Sequence, residues 1–233
     1  MNARERLIVA LDVPSGTDAL ALVDVLAGRV GMFKVGSQLF TTAGPDFIRE
    51  LTARGQKVFL DLKYHDIPHT VAGAVSAASR LGVSLLTVHA LGGQAMMEAA
   101  VGALPAMGER LLAVTVLTSH DAISLGTIGL EAEVPPNVQR LARLAQAAKA
   151  DGVVASPHEV ALIRQACGRD FLVVTPGIRP AGARPGDQAR LATPAAALAS
   201  GADYLVVGRP IIESGAPAAA ADAIVREMES PAR

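Results

Sequence analysis

The chain has 233 residues, of which 51% are hydrophobic and 18% charged, with a formal net charge of −1. That apolar fraction supplies a full core and excludes intrinsic disorder as the main state. The near-neutral balance gives no basic field for a nucleic-acid backbone and no polybasic run for a membrane surface, so neither partner is expected.

The N-terminal MNARERLIVALDV is charged, and Asp12 breaks its apolar run far short of a signal-peptide core. No apolar stretch approaches the ~20 residues of a membrane span, and a soluble, cytoplasmic protein is expected. Cys167 is the sole cysteine, so an intramolecular disulfide is impossible and a reducing compartment fits. A buried thiol is favoured over a nucleophile for it.

Eight short aliphatic or β-branched runs recur in order: LIVALDV (7–13), MFKVG (32–36), KVFLDLK (57–63), LLTVHA (85–90), LLAVTVLT (111–118), GVVAS (152–156), FLVVTPGI (171–178) and YLVVGRPI (204–211). Ala-, Leu- and Arg-rich segments with helical spacing lie between them, such as 137–150 and 157–166. Gly55, Gly82, Gly168 and Gly201 sit where helices should stop. Near-continuous apolar strands alternating with helices imply a parallel sheet covered on both faces. Eight such units predict an α/β fold, a closed (β/α)8 TIM barrel, with an open doubly wound sheet as the alternative. Barrels of roughly 200–250 residues form single domains, and no linker divides the chain, so residues 1–233 are read as one domain. The longest connection, 119–136, is expected to be functional or partly helical. The Gly-, Pro- and Arg-rich stretch 176–190 reads as a positively charged loop after the seventh strand.

Several runs turn polar where they finish. Asp12, Lys34, Asp61, Lys63, His89, Thr118, Arg179 and Arg209 all lie at or just past proposed strand ends. In a parallel barrel those ends share one face, and that face carries the chemistry. Phe59, Asp61 and Lys63 are two apart and should share a side of the third strand. With Phe59 in the barrel interior, Asp61 and Lys63 would point into its mouth. Asp66 follows, just before a helix that Pro68 suits as a first-turn residue; taken alone, it reads as a helix-terminal charge or cap. His65 and His69 have the four-residue spacing of a helical metal pair, but Pro68 starts the helix between them and argues against one. His89 reads as a hydrogen-bonded barrel-end residue rather than a catalyst.

In the eighth run, VVGRPI, Gly208 lets backbone amides approach an anion and Arg209 offers a planar fork of donors. A phosphate site here fits the usual place for one in this barrel, after strands seven and eight. Arg179 and Gln188, on the 176–190 loop, could close over the same anion. The competing reading of Arg209 is a pair with a surface carboxylate.

These residues together resemble the orotidine 5′-phosphate decarboxylase family. DLKYHDIPHT is similar to its D-x-K-x-x-D-I-P-x-T signature, TPGIRP and GDQ to its phosphate-loop pattern, and DYLVVGRPI to its last strand. The ordered set spans almost the whole chain. Tyr64, His69 and Ile212 stand where Phe, Asn and Thr are common, and none of them removes a charged position. The resemblance implies decarboxylation of orotidine 5′-monophosphate (OMP) to UMP in pyrimidine biosynthesis, by a homodimer with active sites at its interface. Lys34, Asp61 and Lys63 would belong to one subunit, while Asp66, Ile67 and Thr70 would reach the neighbour's site. Asp12 and Lys34 would bind ribose, Thr118 would lie near the pyrimidine, and Arg179, Gln188, Gly208 and Arg209 would hold phosphate. Lys63 would protonate C6.

No G-x-G-x-x-G follows a strand and no Cys/His cluster appears in the sequence, so neither cofactor nor metal is expected. The related Mg²⁺-dependent 3-keto-gulonate-6-phosphate decarboxylases and hexulose-phosphate synthases share the barrel, phosphate site and D-x-K-x-x-D. They carry an acidic ligand on an early strand, where this chain has Lys34. A non-catalytic barrel that senses a phosphorylated ligand is the remaining alternative, and the intact Asp61–Lys63–Asp66 set argues against it.

Overall fold

Each strand-forming run becomes a strand in the computed structural model, which describes residues 1–105, 108–180 and 191–230. The strands are β1 (Leu7–Ala10), β2 (Met32–Gly36), β3 (Val58–Tyr64), β4 (Leu85–His89), β5 (Arg110–Val114), β6 (Gly152–Val154), β7 (Leu172–Thr175) and β8 (Tyr204–Val207). Every pairing is parallel and the strands close in sequence order. The seam is made by β1 on β8, with Leu7 opposite Leu205 and Val9 opposite Val207. This is the closed (β/α)8 barrel and not the open sheet.

The helices are α1 (Ala3–Arg6), α2 (Gly16–Leu26), α3 (Ser37–Ala53), α4 (Pro68–Ser79), α5 (Gly93–Gly102), α6 (Ala122–Thr127), α7 (Val134–Ala147), α8 (Val160–Cys167), α9 (Pro194–Ala199), α10 (Arg209–Ile212) and α11 (Pro217–Glu229). The four glycines expected to end helices have φ between 75° and 104°, a left-handed conformation that side chains disfavour. Pro68 opens α4, and its ring needs no N–H at that position. The 119–136 connection is partly helical: α6 lies inside it, capped by the Asp121 side chain on the Ser124 N–H at 2.9 Å, and α7 begins within it. Among the described residues, no helix is long and apolar enough to cross a membrane.

Strand alternation divides the core in two. Ile8, Ala10, Met32, Phe59, Leu85, Leu112, Val174 and Val206 form the cluster filling the barrel. Their neighbours, among them Val9, Phe33, Leu60 and Leu86, belong to the larger layer shared with the helices. Gly152 lets β6 approach β7, since a Cβ there would stand 2.2 Å from the Leu172 carbonyl oxygen. Cys167 is buried, and burial raises its thiol pKa.

The strands are shorter than the apolar runs that announce them. β1 ends at Ala10 and β5 at Val114, so Asp12 and Thr118 stand beyond the ladder. There the backbone leaves the sheet and side chains can turn over the barrel mouth.

Candidate active site

The inward alternation of each strand continues past the apolar filling into charge. Ile8 and Ala10 lead to Asp12, Met32 to Lys34, and Phe59 to Asp61. Lys34 Nζ donates to Asp12 Oδ1 at 3.0 Å and lies 3.8 Å from Asp61 Oδ2. Lys63 Nζ donates to the same Asp61 oxygen at 2.8 Å. The row therefore alternates in sign, Asp12–Lys34–Asp61–Lys63, and its two central side chains are almost wholly buried. Thr87, fully buried on β4, donates its hydroxyl to Asp61 Oδ1 at 3.0 Å. Both oxygens of Asp61 are thus engaged, one by cations and one by a hydroxyl.

Lys63 does not reach this position by simple alternation. The register of β3 against β4 jumps between Leu60 and Tyr64, and Lys63 has φ of 54°. A β-bulge bends a strand and re-aims its side chains, and a left-handed non-glycine residue stores about 1–3 kcal/mol of strain. The Lys63 N–H, displaced from the ladder, donates to Thr87 Oγ1 at 2.9 Å. Asp61 and Lys63 do converge in the mouth, but a bulge brings them there rather than a period of two.

A cavity of about 460 Å³ opens on this row, a size typical of small-molecule sites. Asp12, Lys34, Asp61, Lys63, Thr118, Arg179, Gly208 and Arg209 all line it. Its charged residues lie on or after β7, β8, β1, β2 and β3, which are consecutive around the barrel. The opposite arc, at and after the ends of β5 and β6, contributes Val114, Val116, Val154, Ala155 and Ser156. One side is therefore charged, with Arg179 and Arg209 at one end and Lys63 at the other. The facing wall is largely apolar, with the Thr118 and Ser156 hydroxyls as its polar points. Such a site can hold a flat, partly apolar ring between the walls and an anion at the arginine end. A backbone bridge pairs Ile178 with Ala192, and the Arg179 N–H donates to the Ala192 carbonyl at 3.0 Å. That tie fixes the backbone of Arg179 at the cavity rim.

Residues 5–224 match the family described as orotidine 5′-phosphate decarboxylase / HUMPS. The chain belongs to this family. It is 58% identical to the orotidine 5′-phosphate decarboxylase of Halorhodospira halophila, over 96% of this chain and 95% of that protein. Its identity to the protein of the same name from Syntrophotalea carbinolica is 54%, over 98% of this chain and 96% of the relative. The crystal structure of orotidine 5′-phosphate decarboxylase from Lactobacillus acidophilus superimposes with a TM-score of 0.85 at 40% identity, covering 96% of this chain and 99% of that one.

Three residues that the family resemblance assigns to a neighbour's site stay outside this cavity. Asp66 and Thr70 are exposed, and Ile67 is 66% exposed, unusual for a large apolar side chain. Asp66 Oδ1 accepts the Ile67 N–H at 2.6 Å, and Ile67, not Asp66, occupies the N-cap of α4. Gln188 lies outside the described residues. His65 precedes α4 and His69 lies within it, so they do not share a helical face. His89 does not line the cavity; its Nδ1 accepts the Leu91 N–H at 3.3 Å, as suits a barrel-end residue.

Sequence reasoning missed Thr87, Ser156 and Glu213, the last an exposed residue at the cavity edge after α10. Thr87 was detectable, because it lies two positions before His89 on an otherwise aliphatic strand. It sits one layer inside the strand end, where a search for terminal polar residues does not look.

Proposed function

We propose that this chain is an orotidine 5′-phosphate decarboxylase that converts OMP to UMP and CO2 without a cofactor, with Lys63 protonating C6. The observation that carries the reading is the sharing of Asp61 Oδ2 between Lys63 and Lys34 at the mouth of the barrel. The reaction places the protein in pyrimidine nucleotide synthesis, and we assign it to the cytoplasm.

Breaking the C6–carboxylate bond leaves an electron pair in an in-plane orbital that no adjacent carbonyl can delocalise. The site must favour charge developing at C6. The Lys63 ammonium supplies that field and then donates a proton to C6 as CO2 departs, recovering a proton from solvent afterwards. Asp61 sits beside the leaving carboxylate and disfavours the ground state. Like charges ~4 Å apart repel by about 4 kcal/mol at an effective dielectric near 20, which is about a thousandfold in rate. Repulsion is therefore a partial contributor. Lysine stabilisation, water exclusion and binding energy from the phosphate supply the remainder.

Arg179, Gln188, Gly208 and Arg209 hold the phosphate, Asp12 and Lys34 the ribose, and Thr118 the pyrimidine edge. The working form is a homodimer in which Asp66, Ile67 and Thr70 complete the partner's site. The exposure of Ile67 in the isolated chain supports that arrangement, since a subunit contact would bury it. Incubation with OMP in the presence of a chelator tests the reading. Stoichiometric UMP and CO2 are expected. Activity that chelator abolishes would point to the Mg²⁺-dependent branch, and no turnover of OMP at all would point to a sensor of phosphorylated ligands.

A further inference from the structure

The segment that carries Asp66 is tied down by a pair of histidines outside the cavity. His65, next to Asp66 in the chain, stacks its ring on that of His89, with centroids 5.6 Å apart and planes 19° from parallel. His89 ends β4 and is itself fixed, its Nδ1 accepting the Leu91 N–H at the start of a 3₁₀ turn (Ala90–Gly92). His65 also lies against that turn, since a Cβ on Gly92 would stand 3.2 Å from His65 Cδ2. Asp66 has no comparable anchor: its carboxylate accepts only the N–H of the next residue among the described residues.

We infer that the His65–His89 stack is the positioning device for Asp66, holding the β3–α4 loop against the end of β4 so that the carboxylate is presented at the subunit boundary. The two histidines touch no reacting atom, and they act through the loop. Burial chiefly, and then the charges of His65, Lys63 and His120, oppose protonation of His89. Two uncharged rings can stack where two imidazoliums would repel. The inference rests on the proposal that Asp66 serves the partner's active site.

That origin makes the effect separable in mixed dimers. His65 is exposed, so His65→Ala removes the ring without opening the core. It should lower kcat/KM for OMP about tenfold, and His65→Phe, which restores a ring, should recover most of the loss. Differently tagged subunits then give purified heterodimers. Pairing His65→Ala with Lys63→Ala should recover one full site, because the working Lys63 meets an intact partner loop. Pairing His65→Ala with Asp66→Ala should recover nothing beyond the His65→Ala level. The reverse pattern would place His65 in its own subunit's site and overturn the inference, as would wild-type kcat/KM in His65→Ala. The Lys63→Ala with Asp66→Ala heterodimer is the control for site sharing. If it shows no recovery despite subunit exchange, the shared site falls, and the stack with it as a cross-subunit device.

Discussion

Thr87 donates its hydroxyl to Asp61 from the fully buried face of the neighbouring strand, 3.0 Å from Oδ1. The Thr87 hydroxyl oxygen itself accepts the displaced N–H of Lys63 at 2.9 Å, so one side chain fixes both the carboxylate and the bulge that delivers the ammonium. Thr87→Val keeps the shape and removes both bonds. Leaving buried partners unmade costs about 1–3 kcal/mol. We expect a loss of that size in unfolding free energy, and about a tenfold or greater fall in kcat with a smaller change in KM. A Thr87→Val enzyme with wild-type kcat would show that the Asp61–Lys63 geometry holds without it.

Lys63→Ala removes the proposed proton donor while leaving the phosphate residues in place. Turnover of OMP should fall below detection, and UMP binding by calorimetry should survive within about tenfold. The left-handed backbone at Lys63 (φ 54°) disfavours any side chain, so alanine keeps the same backbone cost. Near-normal decarboxylation by this variant would sink the assignment of Lys63.

The fold was legible because the body of each strand is a largely aliphatic run and several helix stops, Gly55, Gly82, Gly168 and Gly201 among them, carry a glycine. Asp12, Lys34 and Asp61 were legible for a related reason, as the polar continuation of apolar inward faces. The convergence of Asp61 with Lys63 was anticipated from a period of two that the chain does not keep. The bulge between Leu60 and Tyr64 breaks that period, and nothing in VFLDLKY announces a left-handed lysine. Thr87 was hidden because its partners, Asp61 and the Lys63 N–H, come from another strand and depend on register. Asp66 is the limiting case: it is exposed and does not line the cavity of its own chain, so neither spacing nor a single subunit's geometry assigns it a role.

Arg209 lines the cavity directly after β8 and opens α10. An arginine gripping phosphate should matter only to ligands that carry one. Arg209→Ala should therefore weaken UMP binding about 10- to 100-fold while leaving uridine binding unchanged, as read by calorimetry on both ligands. The rate on OMP should fall too, because phosphate binding energy is used to organise the site. Equal weakening of nucleoside and nucleotide would mean that Arg209 supports the cavity wall instead.

His89 makes stability depend on pH in a window that its surroundings define. Burial, together with the charges of His65, Lys63 and His120, holds its pKa at about 4, below the ordinary 6.5. Between those values the unfolded chain takes up a proton that the folded chain refuses, so stability falls as pH drops from 6.5 towards 4 and levels off below. The site is only partly buried, and solvent screening reduces the effect to about 1–2 kcal/mol. Urea unfolding at pH 7 and pH 4.5 measures it, with carboxylate titration common to both proteins compared. In His89→Gln, which retains an acceptor for the Leu91 N–H, the loss on acidification should be smaller by that amount. Identical losses in the two proteins would mean that His89 ionises in the fold as freely as in the open chain.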